Sequence, residues 1–310
     1  MTLVNTLIPV FALIGLGLFS RHINLFRAEA AASFNTFILY ICLPPLFFWS
    51  TASVRLEEIA NFRYISVILI GALVTGTLAW WLIGRMQQQI PSANRLLLSL
   101  SALNPNTIYI GVPLFTLLFG PQGTLPIIIA SLCFNLLMGI AMTILDMLTQ
   151  SSRFSLGTVL YRLFIKNPLF LPPLIGIAWN ILQLPEPKAL ASTMTLLSQA
   201  TAPVALFTMG LTLYGQRVRG QMKQLLLLTG LKLAVQPIII IGLCTFLLPL
   251  PAPWYESAIL ASAMPTAAMV SVFALRYEKE IAPISSTIVI STLLAIPALS
   301  LWMLLLPHIT

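Results

Sequence analysis

Ser101-Ala102-Leu103-Asn104-Pro105-Asn106-Thr107-Ile108-Tyr109-Ile110-Gly111-Val112-Pro113 and Ser262-Ala263-Met264-Pro265-Thr266 are the stretches on which the fold of this 310-residue chain turns. Each lies well inside an apolar run long enough to cross a bilayer, and each puts helix breakers there. A proline inside a helix removes one hydrogen bond and clashes with the preceding turn, at a cost of about 3 kcal/mol. Lipid offers no water to repair that damage, so a broken backbone must be buried in protein or line a wet cavity. Two simple proline kinks would produce part of this pattern. Polar Asn and Thr at both prolines, in matching positions, favour two true breaks.

Composition supports the membrane setting. Apolar residues make up 58% of the chain and charged residues 8%, against roughly 25% charge in a soluble domain. A water-soluble body of this size could not be clothed with so few polar groups, which excludes a cytosolic enzyme, a secreted disulfide scaffold and a disordered chain. The net charge of +8 suggests a nucleic-acid partner only if the basic residues share a face. Here they are scattered between apolar runs, so no nucleic acid is expected. Cys42, Cys133 and Cys244 lie far apart in apolar surroundings and match no metal or redox spacing.

A crossing helix needs about 20 residues, and ten runs qualify, at about 2–20, 32–52, 64–84, 96–119, 125–149, 167–184, 192–214, 225–248, 255–275 and 284–307. Basic residues divide unevenly between the two sets of loops. Arg21, Arg27, Arg85, Arg95, Arg153, Arg162, Lys166, Arg217, Arg219, Lys223, Arg276 and Lys279 follow odd-numbered runs, whereas Arg55, Arg63 and Lys188 lie on the other side. By the positive-inside rule both termini face away from the cytoplasm. The expectation is an all-α, multi-pass protein of the plasma (inner) membrane. Residues 1–149 form a first five-helix repeat, 150–166 a cytoplasmic linker and 167–310 a second repeat. Five spans per half force the halves into opposite orientation, so the repeat is inverted.

Internal similarity follows that division. The second span carries Leu43-Pro44-Pro45-Leu46-Phe47-Phe48 and the seventh Ala202-Pro203-Val204-Ala205-Leu206-Phe207. The fourth and ninth spans, which hold equivalent places in the two halves, carry the opening stretches. If both break and cross, their second half-helices begin near the bilayer centre with amides and positive dipole ends turned to one region. Such ends bind anions. Asn104, Asn106, Thr107, Tyr109, Pro265 and Thr266 are therefore candidate substrate-site residues, with Pro105, Gly111, Pro113, Pro265, Pro44 and Pro203 as candidate crossover or hinge positions. The amides at the breaks are expected to be unpaired and open to a small organic anion. Gln199, just before Pro203, is a further lining candidate, with packing between helices as its alternative role.

These residues resemble the auxin efflux carrier family, which includes bacterial transporters and the plant PIN-type carriers. Asn106-Thr107-Ile108-Tyr109-Ile110-Gly111-Val112-Pro113 is similar to its Asn-x-x-aromatic-x-Gly-x-Pro segment. Ala263-Met264-Pro265-Thr266-Ala267, running on to Ala274-Leu275-Arg276-Tyr277, resembles its second signature; Gly210-Leu211-Thr212-Leu213, Ser291-Thr292-Leu293-Leu294 and Pro297 fit as well. The resemblance spans essentially the whole chain. It implies two inverted five-helix repeats, a scaffold part and a transport part with crossed helices, secondary transport of small carboxylates by alternating access, and a homodimer joined through the scaffold. Ala268-Met269 stand where many relatives place a polar residue, often Asn, and the long loop of the plant carriers is absent.

Lys232 lies about seven residues into the eighth span, roughly 10 Å from its start at 1.5 Å per residue. It either snorkels to the interface or serves the site, as a counter-charge for the anion or a support for the crossover. Asp146, near the end of the fifth span, is a possible partner for it. No carboxylate occupies the middle of any span, although ion-coupled carriers usually need one. This favours export or voltage-driven uniport, with proton- or sodium-coupled symport as the alternative. An integral-membrane enzyme would need clustered His, Cys or carboxylates, which the sequence does not offer. No metal, cofactor or catalytic residue is expected. Alkaline phosphatase fused after Thr310 should be active in cells and green fluorescent protein at the same point dark; the reverse pattern would overturn the assigned orientation.

Overall fold

The computed structural model of the protein describes residues 3–27, 29–150, 157, 161, 168–185, 187–216 and 218–309. Arg153, Arg162 and Lys166 of the expected linker, and Arg217, lie outside the described residues. The described chain is helical. Its only non-helical pairing among those residues is an isolated antiparallel bridge between Pro105 and Thr266.

In chain order the helices are α1 (Leu3–His22), α2 (Ala30–Ala52), α3 (Phe62–Met86), α4 (Ser92–Leu103), α5 (Val112–Phe119) and α6 (Leu125–Gln150). They continue with α7 (Leu171–Ile181), α8 (Lys188–Leu213), α9 (Met222–Phe246), α10 (Ala252–Ser262), α11 (Met269–Tyr277) and α12 (Ile281–Ile309). Among the described residues, six apolar helices are long enough to cross a membrane: Ala30–Ala52, Leu56–Met86, Leu125–Thr149, Lys188–Leu213, Met222–Phe246 and Ile281–Leu306. The runs at 96–119 and 255–275 do not form continuous rods, since each is interrupted and divides into α4 and α5 or α10 and α11. Extended prolines mark the starts of several helices. Pro91, Pro187 and Pro251 precede α4, α8 and α10 with φ of −58°, −65° and −65°, the value their rings impose.

Three π turns share one cause. Ile38–Cys42, Thr107–Gly111 and Leu231–Val235 each end two residues before a proline: Pro44, Pro113 and Pro237. A proline ring clashes with the carbonyl four residues back, and widening the preceding turn by one residue moves that carbonyl aside. At Pro237 the displaced carbonyl is Leu233, and it accepts a hydrogen bond from Trp302 Nε1 at 2.8 Å. Pro203 behaves differently. α8 runs as α-helix from Lys188 to Leu213 with Pro203 inside it, so the resemblance between the second and seventh spans does not extend to a matching break.

Two compact units form, each drawing on both halves of the sequence. The first comprises Met1–Asn61, Ile108–Leu132 and Leu160–Gly215, the second Phe62–Thr107, Cys133–Val159 and Gln216–Thr310. In the first unit α1 and α8 meet glycine to glycine. A Cβ on Gly17 would collide with the Phe207 carbonyl oxygen, and one on Gly210 with the Ile14 carbonyl oxygen. Small residues are how membrane helices approach closely, because lipid supplies no hydrophobic drive for their association. α2 and α7 also approach closely, at Gly176, where a Cβ would collide with Thr51 Oγ1 and the Phe48 carbonyl oxygen, and they add polar bonds. Thr51 Oγ1 donates to the Pro173 carbonyl at 3.0 Å, and Asn180 Nδ2 to the Thr51 and Val54 carbonyls at 3.1 and 2.6 Å. The second unit gathers α3, α4, α9, α10, α11 and α12 around the interrupted segments. Gly17→Val or Gly210→Val should lower the thermal midpoint of purified protein by several degrees, because overpacking costs about 1–3 kcal/mol; an unchanged midpoint would refute the close approach.

Candidate functional site

The site grows from two helices that stop inside the second unit. α4 closes when the Asn104 N–H bonds to the Leu100 carbonyl at 3.1 Å. Asn104 then turns extended, at φ −98° and ψ 104°. α10 ends at Ser262, and the Ala263 N–H closes its last turn on Ile259 at 2.9 Å. The two loose ends pair with each other. Asn106 N–H donates to the Pro265 carbonyl at 2.7 Å, and Ala267 N–H to the Asn104 carbonyl at 2.9 Å. These reciprocal bonds flank Pro105, which has no N–H to offer and so can sit at the point of crossing without wasting a donor.

Side chains satisfy the remaining backbone groups. Thr266 Oγ1 donates to the Ser101 carbonyl at 2.8 Å, in the last turn of α4. Thr266 N–H donates to Ser291 Oγ of α12 at 3.1 Å, and the Thr107 N–H to the Pro105 carbonyl at 2.9 Å. Asn104, Asn106, Thr107, Thr266 and Ser291 are all buried. Four of the amides expected to stand open to an anion (Asn106, Thr107, Thr266 and Ala267) are therefore taken, and the expectation fails for them. Polar backbone sealed from water must find a partner, and the nearest partner of each break is the other.

Lys232 supports both helix ends. Fully buried in the π turn of α9, its Nζ donates to the Ser262 carbonyl at 2.6 Å and to Gln236 Oε1. Gln236 Nε2 donates in turn to the Leu103 carbonyl at 2.9 Å. Leu103 and Ser262 are the last residues of α4 and α10, so one lysine–glutamine pair caps two helix C-termini. Their partial negative charge is where a cation is stabilised. A buried ammonium without such oxygens would cost several kcal/mol. This geometry removes snorkelling as an account of Lys232. It also corrects the pairing with Asp146, whose carboxylate accepts from Tyr277 Oη at 2.6 Å and lies 3.8 Å from Arg276.

The structure thus brings Asn104, Asn106, Thr107, Pro265, Thr266 and Lys232 together in the second unit with Pro105. The unit boundary runs between Thr107 and Ile108, which places Tyr109, Gly111 and Pro113 in the first unit. Tyr109 is half-buried in the π turn, Gly111 closes that turn, and Pro113 stands in the first turn of α5. Pro44, Pro203 and Gln199 also belong to the first unit, where Gln199 is exposed and lines a cavity of about 680 Å³. Gln236, Ser101, Ser262 and Ser291 were not among the candidates. Gln236 had a readable signal, standing four residues after Lys232 and so on the same helix face.

A family model described as "Membrane transport protein" matches residues 2–303. The chain is 25% identical over 303 residues to a protein of Methanothermobacter thermautotrophicus named an uncharacterized transporter, covering 96% of each chain. It is 26% identical over 293 residues, 93% of this chain and 91% of the other, to a Rhizobium meliloti protein whose name proposes malonate as its cargo. A Methanocaldococcus jannaschii protein, also named an uncharacterized transporter, is 25% identical over 311 residues, covering 96% and 97%. Lys232→Met strips the Ser262 carbonyl and the Gln236 amide oxygen of their donor. Charged hydrogen bonds contribute about 1.5–3 kcal/mol each, so the thermal midpoint should fall by several degrees while Gln199→Ala leaves it in place. Equal midpoints for Lys232→Met and the wild type would contradict the capping role.

Proposed function

We propose that this chain, which belongs to the membrane transport protein family and is a transporter rather than an enzyme, carries a small mono- or dicarboxylate across the bilayer by alternating access. The reading rests above all on the reciprocal hydrogen bonds of the two interrupted helices, Asn106 to Pro265 and Ala267 to Asn104. Membrane-buried backbone of this kind recurs where a carrier holds its substrate. The amides at the crossing are occupied, so the anion is recognised by the side chains of Asn106, Thr107 and Thr266. Lys232 acts from behind. Its Nζ donates to the end of α10 and, through Gln236, holds the end of α4, which lessens the partial negative charge at the crossing.

In this account ten spans form two inverted repeats, with the termini on the non-cytoplasmic side. The pairs α1–α2 and α7–α8 of the first unit are the scaffold and dimer surface. The second unit, with the crossing, is the moving part. The relative whose name proposes malonate supports a short carboxylate as cargo. Without an ion-binding carboxylate at the crossing, transport follows the membrane potential. One charge across 100 mV is worth about 2.3 kcal/mol, which favours export of a monoanion from an inside-negative cell by about fiftyfold. A second reading, proton-coupled symport, draws on Asp146, a buried carboxylate bonded to Tyr277.

Flux of radiolabelled malonate in proteoliposomes separates the two. The uniport account expects transport that tracks an imposed potential, ignores a pH gradient at zero voltage, and is abolished by Asn106→Ala or Pro265→Ala with insertion intact. PH-driven uptake lost in Asp146→Asn would instead establish symport. Undiminished flux in both crossing variants would refute the site.

A further inference from the structure

The first unit contains a cavity of about 680 Å³ that the crossing does not use, lined among others by Trp49, Ser50, Arg55, Thr195, Ser198 and Gln199. Its charged groups mark the mouth. Arg55 and Glu58 both line it, their side chains 80% and 38% exposed. Arg55 Nε and Nη2 reach the same oxygen, Glu58 Oε1, at 2.8 and 2.7 Å. An exposed pair of this kind is held weakly, so a second carboxylate can take the guanidinium from Glu58, and the planar fork suits it. The hydroxyls below present the opposite chemistry. Ser50 donates to Leu46, Thr195 to Ala191 and Ser198 to Met194, each four residues back along its own helix, at 2.8, 2.8 and 2.7 Å. With their protons given to carbonyls, these hydroxyls keep acceptor capacity; that of Ser50 is shared with Thr124 Oγ1 at 3.2 Å, which leaves Thr195 and Ser198 as the acceptors at the cavity.

We infer that this cavity is a second solute site, in which Arg55 exchanges Glu58 for the carboxylate of a small hydroxy acid whose own hydroxyl donates to the Thr195 or the Ser198 oxygen. Trp49 supplies the apolar wall. On the proposed topology the mouth faces the non-cytoplasmic side. The inference rests on the transport reading for the carboxylate class alone.

Equilibrium binding of radiolabelled L-lactate and propionate to the purified full-length protein tests it, because the two probes differ by one hydroxyl. Lactate should bind at least fivefold more tightly than propionate. Arg55→Gln should weaken lactate at least tenfold, and Glu58→Gln, which removes the competing carboxylate, should tighten it severalfold. The part of lactate binding that Arg55→Gln removes should survive in Asn106→Ala. Equal affinities for the two probes, indifference to Arg55→Gln, weakening by Glu58→Gln, or no lactate binding to the wild type would each overturn this second site. The crossing is judged separately, by malonate flux in the Asn106 variant. If Asn106→Ala alone abolishes lactate binding, the ligand sits at the crossing and the cavity is not a site.

Discussion

A helix that ends inside a bilayer leaves its last carbonyls with no water to accept from. Here that problem arises twice, at Leu103 and Ser262, and both instances are resolved in one place. Each interrupted strand lends the other an amide and a carbonyl, while a buried lysine and its glutamine neighbour hold the two helix ends from a third helix. Take away either interruption and the other is left unsatisfied. The arrangement is therefore cooperative: the crossing exists as a pair or not at all.

That mutual dependence gives the transport reading its physical content. A carrier needs an irregular backbone at the substrate's depth, yet it must not leak, fray or fill with water when empty. A crossing that satisfies its own polar groups meets that condition. The separation into two compact units, each assembled from both halves of the chain, is the kind of partition that alternating access uses. Within the first unit, the glycine-to-glycine approach of α1 and α8 provides rigidity without polar cost.

Much of this was readable in the residues. Prolines flanked by Asn and Thr within long apolar runs located both interruptions, because few other patterns account for helix breakers at such depth. The partners were harder to see. Nothing local distinguishes Ser262 or Leu103 as carbonyls that a lysine thirty residues away, or a glutamine 133 residues away, will reach. The open amides anticipated at Asn106 and Thr266 proved to be occupied: the sequence matched the two stretches, but that each would spend its amides on the other stretch or on Ser291 is set by the fold. Pro44 and Pro203 looked alike in their motifs but differ in the fold: a π turn precedes the first, whereas α8 continues through the second. Gln199 was grouped with the crossing by its place beside Pro203, yet it faces a cavity of the first unit.

The central claim concerns backbone geometry, so the most direct measurement is an electron cryomicroscopy map of the protein in a lipid nanodisc, enlarged by a rigid binding partner. The account predicts density in which α4 stops at Leu103, α10 stops at Ser262, and the strands at Pro105 and Thr266 run antiparallel within hydrogen-bonding distance at the depth of the acyl chains. Unbroken helical density through 104–106 and 263–268, or interrupted segments that do not meet, would contradict it.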